Sequence, residues 1–105
     1  MSMDTTRAAL VRAFADDPRV TLPSDARGKF GANGLRVDGE IFAMWVEGAL
    51  AVKLPSREVD AAIAAETGER LVMGARAMKA WLVVRDDERA VELARRAYAF
   101  VAAAR

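Results

Sequence analysis

The chain has 105 residues, with 16 Lys and Arg against 15 Asp and Glu, a formal net charge of +1, and neither Cys nor His. The length fits a single domain over residues 1–105, and 53% apolar with 30% charged residues is a globular composition. A sequence without Cys or His has no disulfides, thiolate nucleophiles, Ser-His-Asp triads or common zinc and iron–sulfur sites, so we expect a protein that is not an enzyme and binds no metal or cofactor.

The charges are spread evenly along the chain. Residues 1–54 contain 7 basic and 7 acidic side chains, and the remainder contains 9 and 8. Nucleic-acid binders concentrate positive charge, so we do not expect direct contact with nucleic acid. The longest strongly apolar run, 41–46, is far shorter than the roughly 20 residues of a membrane-spanning helix, which predicts no membrane association. Arg7 and Arg12 interrupt the first apolar residues, so no signal peptide is predicted and the expected location is the cytoplasm.

The N-terminal segment predicts a helix and then a short edge strand. Residues 4–16 favour a helix because apolar side chains recur at i, i+4, at Leu10 and Phe14. A proline shortly afterwards disfavours further helix. Residues 19–22 alternate in polarity and predict an edge strand. Residues 24–34 carry three of the seven glycines and predict a loop.

Residues 35–54 predict a three-stranded antiparallel meander. The pair Asp38-Gly39 suits the positive φ values of a two-residue hairpin turn. In the third strand, apolar side chains at alternate positions share one face, which leaves Lys53 on the other face. The predicted strands are 35–37, 40–46 and 49–54.

The remaining residues predict a helix, two strands and a closing helix. Ser56 is the expected N-cap of the first of these helices, and Gly68 its C-terminal stop. The strands are expected at 70–73 and 80–84, and the closing helix from the acidic residues 86–88 onwards. The order of helix, three main strands, helix, two strands and helix predicts a two-layer α+β domain, with helices packed on an antiparallel sheet.

A glycine-rich stretch at residues 28–34 is the first candidate binding element. Glycines let backbone amides approach an anion and Lys29 adds positive charge, so Lys29, Gly31 and Asn33 are candidate binding residues. The stretch lacks the Ser or Thr that follows the lysine of a P-loop. It has the GXXG form of an RNA-binding KH loop, but it precedes a strand rather than joining two helices. A turn-forming loop is the alternative interpretation.

A second candidate element combines cations with an indole. Arg76, Met78, Lys79 and Trp81 lie close together in the sequence, and Lys53 joins them if its face of the sheet is free. Two cations beside an indole can bind an anionic group or stack on a planar one. The alternative interpretation is a strand with Trp81 in the core and its charged neighbours in solvent.

Two acidic groups are candidate ligands for Mg²⁺. They are the pair at 16–17 and the run at 86–88. Carboxylate oxygens are suitable ligands. Both groups also lie where helices are predicted to end or begin, where solvated acidic residues are common. We interpret them as helix termini and predict no metal site.

A series of residues runs through the middle of the chain at characteristic spacings. In order, they are Lys29, Phe30, Gly31, Gly34, Leu35, Val37, Gly39, Ile41, Phe42, Ala43 and Met44, then Val52, Lys53, Leu54 and Pro55, then Gly68, Glu69, Met73 and Gly74, and finally Met78, Lys79 and Trp81. This pattern resembles the N-terminal domain of the bacterial TfoX/Sxy family. The resemblance covers residues 29–84 closely and the two terminal helices by position.

The resemblance implies a small α+β fold like that of secretion chaperones, and a regulatory role without a catalytic residue. Family members that carry a second, helical domain regulate natural competence through protein contacts. We therefore expect a non-enzymatic regulatory or adaptor module that binds a protein partner. The alternative is a small-molecule or anion sensor that uses Lys53, Arg76, Lys79 and Trp81. A homodimer through an edge strand is a further option for the partner.

Overall fold

The computed structural model describes residues 3–22, 34–46, 49–85 and 87–104. These residues form an α+β fold with three helices and a six-stranded sheet, as the sequence predicts. The elements are α1 Met3–Phe14, β1 Val20–Thr21, β2 Gly34–Val37, β3 Glu40–Val46, β4 Ala49–Lys53, α2 Ser56–Ala64, β5 Gly68–Met73, β6 Arg76–Val84, a 3₁₀ turn Asp87–Arg89, and α3 Ala90–Ala103. The predicted loop at 24–34 lies outside the described residues except for Gly34, which is not in a loop but is the first residue of β2, and the predicted turn at residues 47–48 lies outside them altogether.

The sheet is antiparallel throughout, with the strand order β1-β2-β3-β4-β6-β5. The predicted meander is confirmed as β2, β3 and β4. Asp38 and Gly39 have φ values of 51° and 87°, so the hairpin between β2 and β3 has the positive φ angles that its sequence predicts. The short β1 is an edge strand beside β2, also as predicted.

All three helices pack on one face of the sheet and enclose the main core. Leu10 and Phe14 of α1, Val59 of α2 and the buried face of α3 meet the strands in one apolar cluster. Phe42 lies at its centre, where its ring contacts those of Phe14 and Tyr98 at centroid distances of 5.3 and 5.6 Å. Aromatic pairs at these distances favour such edge-on geometry. The predicted alternation in β4 is confirmed, since the cluster includes Leu50, Val52 and Leu54.

A second apolar cluster lies on the opposite face of the sheet. Its buried members, Ala51, Leu71 and Trp81, all come from strands. We call this side, on which no described helix packs, the open face. Its apolar side chains are Ile41, Met44, Val46, Ala51, Leu71, Met78, Trp81 and Val83.

The β5–β6 hairpin has an irregular register that shapes the open face. Arg70 pairs with Leu82, whereas the next residue, Leu71, pairs with Met78. One step along β5 thus corresponds to four steps along β6, so residues 79–81 have no partner on β5. Unmatched residues of this kind bend a strand. The outer half of the hairpin, residues 71–78, therefore runs in a different direction from the inner half.

The ends of α2 correct two sequence predictions. Ser56 is the first helical residue rather than the N-cap, which is Pro55, and no side chain caps the helix. Gly68 does not stop the helix, because the chain already leaves it at Ala65 and Glu66, where φ becomes 61°. Gly68 instead opens β5. A Cβ atom there would lie 2.6 Å from Leu82 Cδ1, so glycine permits the close approach of β5 to β6.

Several further boundaries differ from the predicted ones, and α1 ends at Phe14 rather than at residue 16. The last two strands are longer than expected, and β6 begins at Arg76 rather than at residue 80. Arg76, Met78 and Lys79 therefore belong to the strand itself. The closing helix begins as a 3₁₀ turn, and its α-helical part starts at Ala90. The polarity of residues 76–79 does not reveal that they belong to β6, because hairpin pairing with β5 stabilises this exposed half of the strand.

Candidate functional site

One end of the open face carries a basic depression of about 580 Å³. Its lining is provided by Lys53 of β4 and by the consecutive residues Arg76, Ala77, Met78, Lys79, Ala80 and Trp81 of β6. Antiparallel pairing positions these side chains, because Lys53 lies directly opposite Trp81. The bend at 79–81 adds Lys79 to the same depression.

The three cations of the basic depression have no carboxylate partner among the described residues. The ion pairs of that part of the chain are Arg19–Asp38, Arg70–Asp60, Arg85–Glu69, Arg89–Glu92 and Arg96–Glu58. Arg76 and Lys79 are exposed and Lys53 is half-buried. Trp81 is 7% exposed and forms the apolar wall. The depression therefore combines uncompensated positive charge with an aromatic surface, which suits an anionic group.

A second, apolar depression of about 450 Å³ lies on the same face. It is lined mainly by Val46, Ala49, Val83 and the outer half of β5, and Glu69 contributes a carboxylate. That carboxylate already accepts a hydrogen bond from Arg85 at 2.8 Å. The depression brings β5 close to the end of β3, although two strands separate them in the sheet. The bend of the hairpin toward the open face accounts for this proximity.

The two depressions flank the second apolar cluster. Leu71 lines the apolar depression, Trp81 lines the basic depression, and both are buried members of that cluster. Of the exposed residues at the outer end of β5, Met73 (45% exposed) lies on the same face as Leu71, whereas Val72 (57% exposed) points to the other side of the strand and borders the apolar depression from the sheet edge. Together these features form a continuous surface that is apolar in the middle and basic at one end.

A groove between α2 and α3 is less suited to an anion. It has a volume of about 540 Å³ and includes the arginines Arg57, Arg89 and Arg96. Arg96 lies 3.8 Å from Glu58, and Arg89 donates a hydrogen bond to Glu92 at 3.1 Å. The hydrogen bond and charge of Arg89 lower the pKa of Glu92, so this carboxylate remains ionised near neutral pH. Most of the positive charge of this groove is therefore compensated.

The structure brings one group of predicted site residues together and does not describe the other. Lys53, Arg76, Met78, Lys79 and Trp81 all line the basic depression. The condition that the sequence imposed on Lys53, a free sheet face, is met because no described helix covers it. The other predicted residues, Lys29, Gly31 and Asn33, lie outside the described residues.

The acidic groups have structural roles where they are described. The backbone amide of Arg19 donates a hydrogen bond to Asp17 at 2.8 Å. A side-chain hydrogen bond from Tyr98 to the Asp17 carboxylate, with partial burial, raises the pKa of Tyr98. Among the residues 3–22, 34–46, 49–85 and 87–104, no group of three or more carboxylates is arranged to hold a metal ion. Residue 86 of the second acidic run is outside these ranges.

Sequence reasoning missed the outer half of β5. Leu71, Val72 and Met73 are three consecutive apolar residues at the end of a strand. Side chains alternate between the faces of a strand, so such a run must place an apolar side chain outward. It also missed Trp45 on the helix-covered side, whose buried Nε1 has no hydrogen-bond acceptor among the described residues and whose ring lies 5.0 Å from the Arg7 guanidinium.

Comparisons with models of protein families, with curated proteins and with solved structures found no match for this chain. The helices of the described residues are all too short or too polar to cross a membrane.

Proposed function

We propose that this domain is a non-enzymatic regulatory or adaptor module of the cytoplasm that binds a protein partner on the open face of its sheet. The observation that carries the proposal is the partly exposed apolar cluster on that face. Met73, which is 45% exposed, shares the face of the buried Leu71, and Val72, which is 57% exposed, borders the apolar depression at the sheet edge. Apolar side chains grouped in this way, with charged residues at their border, are typical of protein-binding surfaces.

The energetics also favour binding at this place. Removing the exposed part of a Val or Met side chain from water contributes on the order of 1 kcal/mol, as a fraction of the roughly 1.5–3 kcal/mol for complete burial. Two such side chains with a bordering apolar depression provide a compact anchor. The resemblance to TfoX/Sxy N-terminal domains is part of this proposal. It supports a role through protein contacts.

Site-specific photocrosslinking tests the proposal. A benzoylphenylalanine at position 73 samples the open face and one at position 72 samples the edge of the apolar depression, whereas one at position 64 or 99 samples exposed helical positions as a matched control. Irradiation of the source cells is expected to give protein adducts from positions 72 and 73 and none from the control positions. The adduct identified by mass spectrometry is then purified and titrated against the wild-type chain and V72Q/M73Q, which is expected to bind more weakly.

Four results would count against the proposal. Adducts from all four positions would indicate random collisions, and adducts from none would leave the open face without a partner. An adduct of twice the mass of the chain would replace the proposed partner with a second copy. Equal binding to the wild-type chain and V72Q/M73Q would place the contact elsewhere.

A second candidate function is a sensor for a small anion. The observation in its favour is that Lys53, Arg76, Lys79 and Trp81 line one depression and that its cations have no carboxylate partner among the described residues. A thermal-shift series with phosphate, citrate and ATP tests it. A ligand that binds the folded state raises the melting temperature according to its concentration relative to its dissociation constant. The sensor function requires a shift that is lost in K53Q/K79Q.

A further inference from the structure

We infer that the partner of the open face is an acidic protein segment, whose carboxylates lie on the basic depression while its neighbouring apolar side chains enter the apolar depression. This inference rests on the proposed function. The proposed function says where the partner binds, and this inference adds the chemistry of the partner.

Charge is the first reason. The basic depression presents Lys53, Arg76 and Lys79, none of which has an ion-pair partner in the described part of the chain. Arg36 adds a fourth cation to this face, because its neighbours Leu35 and Val37 point into the main core. A partner surface with carboxylates at matching positions removes the repulsion between these cations.

The same charges disfavour a second copy of the chain as the partner. The carboxylate that lines the apolar depression, Glu69, is already paired with Arg85 at 2.8 Å. Two open faces brought together would therefore place like charges near one another without adding a free carboxylate from either depression. Like charges across an interface reduce affinity.

Apolar surface next to the cations favours a protein segment over a free anion. Ion pairs with exposed cations contribute only about 0.2–1 kcal/mol each, which is too little to hold a small anion tightly. Met78 and Trp81 line the basic depression itself, and Met73 pairs directly with Arg76 at its edge. A segment that carries both carboxylates and apolar side chains buries this surface and gains the ion pairs in addition.

Selection from a random peptide library tests the inference without assuming a partner. Twelve-residue peptides displayed on phage are selected against the intact 105-residue chain at 20 mM NaCl. We expect the selected peptides to be enriched in Asp and Glu next to apolar residues. The most enriched peptide is then synthesised, and its dissociation constant is measured by fluorescence anisotropy at 20 and 300 mM NaCl.

Three double variants separate the contributions. K53Q/K79Q removes two cations of the basic depression, and the matched control R12Q/R57Q removes two exposed cations from the helices. V72Q/M73Q removes apolar surface without a change of charge. We expect K53Q/K79Q to bind roughly five- to tenfold more weakly, in keeping with two partly exposed ion pairs, and to respond less to salt. R12Q/R57Q is expected to bind within about twofold of the wild-type chain, because its cations lie off the open face.

The outcomes distinguish this inference from the proposed function. Peptides that lose affinity for V72Q/M73Q but bind K53Q/K79Q like the wild-type chain would overturn the acidic partner and leave the proposed function standing. Equal losses in K53Q/K79Q and R12Q/R57Q would show unspecific attraction and also overturn the inference. If no peptide is selected, or if neither open-face variant affects binding, both proposals fail.

Discussion

The two apolar clusters of this domain differ in what covers them. The main core has the sheet on one side and three helices on the other, and Phe42, Leu35 and Leu82 in it are completely buried. The second cluster, on the open face, has only strands around it in the described part of the chain. Five of its eight apolar side chains are only partly buried, and Met73 on the same face is 45% exposed.

The difference separates stability from binding. Burial of apolar area is the dominant stabilising contribution in both clusters, but the large side chains with no exposure all belong to the main core. The second cluster buries fewer side chains and leaves part of its apolar surface in solvent, so it contributes less to stability and retains surface that a partner can bury. We expect substitutions in the first cluster to unfold the domain and those in the second to affect binding.

Phe42→Ala tests the main core and has the largest expected effect. The substitution removes a completely buried ring that packs against Phe14 and Tyr98, so the free energy of unfolding should fall by about 3–5 kcal/mol. Urea denaturation followed by circular dichroism measures the loss. Phe42→Leu is the control and should lose less, because it leaves a smaller cavity. A loss below about 1 kcal/mol would mean that this core is not the main source of stability.

Trp81→Ala tests the second cluster by the same measurement. Although the tryptophan side chain is larger than that of Phe42, part of it remains in solvent and its surroundings can relax. We expect a loss of about 2–3 kcal/mol, below the usual range for a completely buried aromatic residue. A loss equal to or greater than that of Phe42→Ala would show that the two clusters are equivalent in stability.

Gly68→Ala tests the close approach of β5 to β6 at the start of β5. The added Cβ would lie 2.6 Å from Leu82 Cδ1 and 2.7 Å from the Val83 carbonyl oxygen. Because the carbonyl cannot move without disturbing the sheet, we expect a loss of about 1–3 kcal/mol in the free energy of unfolding.

The control for this substitution is Gly39→Ala in the β2–β3 turn. A Cβ there has no atom within 4 Å, although φ is 87°. Its cost is therefore conformational and should be about 1 kcal/mol. If Gly68→Ala costs no more than this control, β5 does not approach β6 as closely as the structure shows.

Tyr98→Phe has the smallest expected effect. It tests whether the contribution of Tyr98 to stability, on the helix-covered side of the sheet, depends on pH. A hydrogen bond to the Asp17 carboxylate and partial burial raise the pKa of Tyr98 in the folded state above the value of about 10 in the unfolded chain. The folded state thus holds this proton more tightly, so its contribution is complete below pH 10 and is lost as pH rises through the raised pKa.

Melting temperatures of the wild-type chain and Tyr98→Phe between pH 8 and pH 11.5 check this prediction. The difference between the two proteins should be constant below about pH 10 and shrink above it. Lysines also titrate in this range, but their effect is common to both proteins and cancels in the difference. A difference that grows with pH would mean that Tyr98 is stabilised as the phenolate.

The parts of the fold predicted correctly are those whose signal is local. The turn at Asp38-Gly39 and the alternation of Leu50, Val52 and Leu54 depend on backbone preferences and on side-chain periodicity. The predicted caps of α2 and the predicted start of β6 were wrong, because the ends of these elements depend on contacts with neighbouring strands. Ser56 has the right residue type for a cap, yet the chain enters the helix one residue earlier.

Only the basic half of the candidate site was predicted from the sequence, because only that half has a local signal. Arg76, Met78, Lys79 and Trp81 were grouped because they are close in the sequence, and Lys53 was added only on condition that its sheet face is free. No described helix covers that face, so the condition is met, and pairing with Trp81 brings Lys53 to the same depression. The apolar half of the surface went unrecognised, since Val72 and Met73 read as ordinary strand residues until their exposure is known.

The sequence by itself determined the α+β order, the meander with its turn, the inward faces of the helices and the lack of Cys and His chemistry. These features follow from residue identity and from contacts between near neighbours in the chain. Tertiary structure alone decided that all three helices pack on the same face, that the β5–β6 hairpin bends at residues 79–81, and that cations from β4 and β6 line one depression beside an apolar cluster. Such features depend on which distant segments pair and on the register of that pairing, and local patterns do not encode either.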